Sequence, residues 1–152
     1  FNMDVLGNAA IKEPIVDSVN AEPIISDISK VLDIDLVTMS PGDVEFSNEY
    51  CISFSEEETC HALLAWFDCE FSRLTRPKTL STSPYSAYTH WKQVVFYLEK
   101  DIKMERGDQL RGSIACRKSL ANFRELDIKI SYHHVPADGH EGVSFVQQYK
   151  LK

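Results

Sequence analysis

The stretch Leu126-Asp127-Ile128-Lys129-Ile130-Ser131-Tyr132 alternates apolar and polar side chains without a break. That period of two constrains the fold more than any other feature of the chain. Successive side chains on a strand point to opposite faces, so this stretch offers one face to a core and one to water. The same alternation recurs in short segments separated by turn residues. Tyr50, Ile52 and Phe54 share a face ahead of the acidic turn Glu56-Glu57-Glu58, and Val94, Phe96 and Leu98 share another. Leu110, Ile114 and Cys116 follow a turn at Gly107-Asp108, while Pro136-Ala137-Asp138-Gly139 leads into a last strand from Val143 to Tyr149. Ile34 and Leu36 alternate with Asp33 and Asp35, predicting a strand over Asp33 to Thr38 that ends at the turn residues Pro41-Gly42-Asp43. From His61 to Phe71, Leu63, Ala65, Phe67, Cys69 and Phe71 face one way and Leu64 and Trp66 the other. This predicts a single long strand, buried on both faces at first and on one face later.

About eight such segments predict a mainly β fold, an antiparallel barrel-like or sandwich domain over residues 33–152. Residues 1–32 read as a lead-in, with Pro14 and Pro23 placed to open one or two short helices. No connection is long enough for the amphipathic helices of a βαβ unit. With 152 residues, 43% of them hydrophobic, the chain can bury one sizeable core. Phe1 stands where an initiator methionine is expected and no signal-peptide pattern follows, so the expectation is a chain cut from something longer.

The formal net charge of −7 argues against a nucleic-acid backbone binder and permits a basic partner, although solubility alone also favours such a charge. No apolar run approaches the roughly eighteen residues of a membrane span, and a soluble domain is expected. Cys51, Cys60, Cys69 and Cys116 form no C-x-x-C pair and read as free thiols, with Cys69 a small buried hydrophobe between Phe67 and Phe71. The six glycines form no G-x-G-x-x-G, and no G-x-S-x-G marks a nucleophile. His133 and His134 are adjacent in a strand and so point to opposite faces, an arrangement poorly suited to joint ligation of one metal. Glu56-Glu57-Glu58 is either a solvated hairpin tip or a docking point for a basic peptide.

His90 is the remaining candidate. It ends a polar loop running from Arg76 to Tyr88, precedes an aromatic side chain able to wall a pocket, and adjoins a strand able to anchor it. Local chemistry leaves a structural and a functional role equally open.

Ser81-Thr82-Ser83-Pro84 leading to Tyr88-Thr89-His90-Trp91-Lys92-Gln93 resembles the signature loop of the protein arginine N-methyltransferases. Ala10-Ile11-Lys12-Glu13-Pro14-Ile15-Val16-Asp17 resembles that family's approach to its barrel, Ala65-Trp66-Phe67-Asp68 its central strand, and Asn122-Phe123-Arg124-Glu125-Leu126-Asp127 the start of a late strand. The resemblance runs in order along nearly the whole chain. It departs at Ser83, where the family often has glycine, and at Asn2, where aspartate is common.

The resemblance implies the carboxy-terminal β-barrel of a two-domain transferase, preceded over residues 1–32 by the end of a dimerisation arm. The cofactor domain, which binds S-adenosyl-L-methionine, and its two guanidinium-gripping glutamates are expected outside this sequence. The implied reaction methylates arginine guanidino nitrogens of proteins, and the threonine-histidine-tryptophan form suits the asymmetric-dimethylating class. His90 takes the catalytic role, paired with an aspartate of the other domain; Trp91 helps wall the arginine pocket and Thr89 fixes the loop on the substrate side. Phe1, Met3 and Leu6 fall at the root of a homodimer interface. Substrates are expected among arginine-glycine-rich RNA-binding proteins and histone tails, in nucleus and cytoplasm, with no direct nucleic-acid or membrane partner and no metal. The chain alone is expected to be inactive. The alternatives are a non-catalytic β-sandwich interaction module and an inactive regulatory paralogue.

Overall fold

A computed structural model describes residues 11–152. Alternating segments form β1 (Ile15–Asp17), β2 (Phe46–Ser53), β3 (Glu58–Ala65), β4 (Asp68–Phe71), β5 (Lys78–Ser81), β6 (Gln93–Met104), β7 (Gln109–Lys118), β8 (Leu126–Val135) and β9 (Ser144–Leu151). All pairings are antiparallel, in sheets ordered β1-β6-β3, β2-β7-β8-β9 and β4-β5. The barrel-like β architecture expected from the alternation is present.

The two larger sheets share one core. Phe96, Leu98, Ile102 and Met104 of β6 and Cys60 of β3 join Tyr50 of β2, Leu110 of β7, Ile128, Ile130 and Tyr132 of β8 and Tyr149 of β9. Phe96 meets Tyr149 edge-on across the sheets at 5.1 Å between ring centroids. The predicted inward sets at Tyr50 and Phe54, at Phe96 and Leu98, and at Ile128, Ile130 and Tyr132 are all buried.

One irregularity ties the two larger sheets together. The β3–β6 register pairs Cys60 with Ile102 and then Ala62 with Tyr97, so β6 bulges at Leu98 to Asp101. The bulge frees backbone groups, and β9 supplies their partners. The Gln147 carboxamide accepts from the Glu99 N–H at 2.9 Å and donates to the Tyr97 carbonyl at 3.1 Å, while the Tyr149 hydroxyl donates to that same carbonyl at 2.8 Å. The shift also moves the inward face of β3 from Cys60 to Leu63 and Ala65.

Four expectations are corrected. Residues 11–32 contain no helix; Ile15–Asp17 is a strand, because β-branched Ile15 and Val16 suit extended backbone and β6 offers them an edge. Asp33 to Thr38 is not a strand, and Leu36 to Thr38 form a turn. The Asp35 carboxylate accepts the Val37 N–H at 2.9 Å and its carbonyl accepts the N–H groups of Thr38 and Met39, so local side-chain chemistry overrides the alternation. His61 to Phe71 is broken at Trp66 and Phe67, and β4 leaves the sheet of β3 to pair with β5. Phe67 and Phe71 are consequently exposed, and Cys69 between them is only partly buried.

Candidate active site

The loop from Ser81 to Lys92 is held at its base by the break between β3 and β4. Thr82, 1% exposed, fastens to Phe67 three times. Its N–H and its hydroxyl donate to the Phe67 carbonyl at 3.0 and 2.9 Å, and its hydroxyl oxygen accepts the Phe67 N–H at 3.1 Å. The side chain thus extends the β4–β5 ladder by one step beyond the pair Asp68 and Ser81. The Ser81 hydroxyl donates to Asp68 Oδ1 at 2.5 Å and accepts the Ser83 N–H at 3.1 Å. Ser83 then turns the chain over Pro84, its hydroxyl accepting the Tyr85 N–H and its carbonyl the Ser86 N–H. Hydroxyl-rich Ser81-Thr82-Ser83 is the sequence signal for this strapping, although it does not reveal Phe67 as the partner.

The far end of the loop is fixed by Gln93, the first residue of β6. This buried carboxamide donates to the Thr82 carbonyl at 2.7 Å and accepts the Val19 N–H at 2.8 Å. Lys92 adopts φ 55° and its ammonium lies 3.0 Å from Asp17 Oδ1. Their hydrogen bond, reinforced by the ion-pair field, holds the Asp17 carboxyl below and the Lys92 ammonium above the usual range.

Between these anchors the chain presents Thr89, His90 and Trp91 at a turn. The Trp91 ring stands edge-on to His90 at 6.4 Å and to Phe67 at 6.5 Å between centroids. The faces stay open: Trp91 is 56% exposed, Phe67 47% and Tyr88 75%. His90 is exposed and has no hydrogen-bond or ion-pair partner among the described residues. The Thr89 hydroxyl is buried and unpartnered among the described residues, so the strapping of the loop rests on Thr82, Ser81, Ser83 and Gln93. Thr89, His90 and Trp91 therefore come together as one unit, whereas Phe1, Met3 and Leu6 lie outside the described residues. Gln93, Lys92, Asp17 and Phe67 lie within the segments that carry the family resemblance, but the sequence gives them no role of their own, because a bond to backbone far along the chain leaves no pattern in sequence.

Neither of two hollows elsewhere on the surface includes this loop. The larger, about 500 Å³, lies between residues 32–39 and 43–48; the other, about 350 Å³, lies over β7, β8 and β9.

The fold and loop define a class: an antiparallel β domain carrying an imidazole and uncovered aromatic rings on a loop strapped to its edge. Residues 1–136 match the sequence model described as the arginine methyltransferase oligomerization subdomain. The chain belongs to the protein arginine methyltransferase family. It is 43% identical to protein arginine N-methyltransferase 1 of Schizosaccharomyces pombe, over 99% of this chain and 45% of the relative. It is 37% identical to the Chlamydomonas reinhardtii protein of the same name, over 100% of this chain and 44% of the relative. The chain thus spans a little under half the length of these curated relatives. Among solved structures, the enzyme–prozyme heterotetramer of Trypanosoma brucei protein arginine methyltransferase 1 with AdoHcy superposes with a TM-score of 0.94 at 26% identity, over 100% of this chain and 48% of that one. Protein arginine methyltransferase 10 of Arabidopsis thaliana, in an open conformation, gives 0.90 at 25% identity, also over 100% and 48%.

Proposed function

We propose that this chain is the substrate-side barrel of an enzyme that transfers methyl groups from S-adenosyl-L-methionine to arginine guanidino nitrogens of proteins, giving mono- and asymmetric dimethylarginine. One observation carries the reading. The loop that carries His90 and Trp91 is strapped at its base, yet no described residue covers the exposed side chains of either, as one wall of a divided site requires.

The described residues do not fit S-adenosyl-L-methionine on their own. Neither of the two hollows described above includes the loop, and the glycines form no nucleotide-type turn. Cofactor binding is therefore assigned to the remainder of a longer protein. Arginine is protonated in water, so its methylation releases a proton and needs carboxylates around the guanidinium. His90 would meet an acidic group from the cofactor-binding half, and Trp91 would wall the arginine side chain. An imidazole paired with a carboxylate can either fix the geometry of the two halves or help take up the released proton.

The family's oligomerization subdomain and the heterotetrameric relative support assembly into a dimer or larger oligomer, for which a homodimer is the form proposed. The net charge of −7 suits basic substrates such as arginine-glycine-rich RNA-binding proteins and histone tails, in nucleus and cytoplasm. The test joins this chain to its cofactor-binding half and measures methylation of an arginine-glycine-rich peptide. His90→Gln should lower turnover by about 100-fold and change the pH profile. Unchanged turnover and profile remove His90 from the mechanism, and methylation by residues 1–152 alone overturns the divided site.

A further inference from the structure

Lys92 is the only described residue other than glycine with positive φ. It lies between the His90–Trp91 turn and the first residue of β6, where its backbone conformation sets the direction in which that turn leaves the sheet. A lysine persists in the left-handed region where its surroundings determine it. Those surroundings come from the lead-in. Asp17 accepts a hydrogen bond from Lys92 Nζ at 3.0 Å and is the backbone partner of Gln93 in the β1–β6 register. Two residues on, the Val19 N–H donates to Gln93 Oε1 at 2.8 Å, and the other end of that amide reaches the Thr82 carbonyl at 2.7 Å.

We propose that the lead-in segment Asp17 to Val19 belongs to the site, acting through Lys92 and Gln93 to set the position of the His90–Trp91 turn. Asp17, Lys92 and Gln93 are then positioning residues. The consequence for turnover rests on the reading of His90 given above; the positioning itself does not.

Within the lead-in, the segment from Ile15 to Val19 contributes little as scaffold, in contrast to Ile25 and Val31, which pack against the core. β1 is three residues long, with Ile15 49% and Val16 48% exposed, so it buries little apolar surface. The Asp17–Lys92 pair is also open to water, with side chains 63% and 35% exposed, where an ion pair adds little to global stability. Its polar contacts nevertheless converge on the two residues that root the loop. Gln93, 8% exposed, satisfies both ends of its amide from two different segments, one the lead-in and the other the base of the loop. Displacing the lead-in therefore displaces the loop at both of its ends.

Amide relaxation on the isotopically labelled 152-residue chain tests this with Asp17→Ala, Lys92→Gly and Gln93→Ala. Lys92→Gly is the most informative, because glycine accepts the left-handed backbone while the tether is cut. Order parameters across residues 88–92 should fall from about 0.85 to below about 0.6 while those of β7, β8 and β9 hold, and the exchange Asp17→Lys with Lys92→Asp should restore them. Order parameters unchanged at 88–92 in Asp17→Ala and Lys92→Gly overturn the proposal, even if Gln93→Ala fails to fold. In the protein that includes the cofactor-binding half, the same variants should lower kcat by about ten-fold or more with KM for S-adenosyl-L-methionine unchanged. Loosening of the turn with no change in kcat separates the two readings: the strut stands and the catalytic assignment of His90 falls.

Discussion

His134 Nε2 lies 2.7 Å from Asp108 Oδ2, with side chains 13% and 3% exposed. The same carboxylate accepts the Glu105 N–H at 2.9 Å and the Ala137 N–H at 2.8 Å, joining the β6–β7 turn to the chain that leaves β8. Burial disfavours the charged form, but the two backbone N–H groups and the imidazole outweigh it and hold the Asp108 carboxyl below its usual range. His133, the adjacent residue, faces the other way and bonds Ser144 at 2.7 Å, as the strand period requires.

A carboxyl depressed in the folded state stabilises the fold above its unfolded pKa of about 3.9, and that contribution disappears as pH falls through the folded value. Asp108→Asn is therefore expected to cost about 1–3 kcal/mol at neutral pH and to flatten the stability profile below about pH 4. Urea unfolding across pH 2–7 measures both. A variant as acid-sensitive as the parent would show that Asp108 is not the group responsible.

Gln147 serves three partners with one carboxamide, since its oxygen also accepts from the Tyr132 hydroxyl at 3.1 Å. Gln147→Leu keeps the volume but leaves the Glu99 N–H and the Tyr132 hydroxyl without that acceptor. The expected loss is about 1–3 kcal/mol, read as a lower urea midpoint at unchanged slope. Hydrogen exchange at Glu99 should quicken more than at the β7–β8 ladder, and equal changes at both would argue against a local seam.

The cysteines differ in a way that alkylation can read. Burial pushes the Cys60 thiol up to about 11, so at pH 8 it is both protonated and covered, while Cys51 is exposed. Iodoacetamide should modify Cys51 in the native protein and Cys60 only as fast as the core opens, as peptide mass spectrometry can follow. Equal labelling rates would mean that the β3–β6 edge of the core opens freely.

What was legible in the sequence was what repeats. β8 alternates for seven residues and needs no partner to be recognised, whereas Thr89-His90-Trp91 stands out only through its resemblance to the family's signature loop. Failures arose where one side chain acts on backbone elsewhere. Asp35 bends its own segment into a turn, Thr82 bonds the backbone of Phe67 where the alternation predicts an unbroken strand to Phe71, and the bulge at Leu98 to Asp101 changes the inward parity of β3. Gln93 shows the same limit at the site, because a glutamine's importance depends on which two backbone groups it meets, Val19 and Thr82, and these lie 74 and 11 residues away in sequence.

Thr82 offers the cleanest separation of loop order from fold. Thr82→Val preserves shape and β-branching while deleting the hydroxyl that bridges the N–H and C=O of Phe67. The Phe67 carbonyl keeps the Thr82 N–H, so the N–H of Phe67 is the group left without its acceptor. The expected cost is about 1–2 kcal/mol, modest because Phe67 is partly exposed to water. Its effect on the site should be larger than that figure suggests. Phe67 abuts the edge of Trp91, and the Thr82 carbonyl is the anchor for Gln93, so a loosened Thr82 shifts the tryptophan from both sides. Thr82→Ser, which restores the hydroxyl, should recover most of the lost order at residues 88–92 and the turnover that depends on it. If valine and serine behave alike, packing rather than the hydroxyl bridge holds the loop.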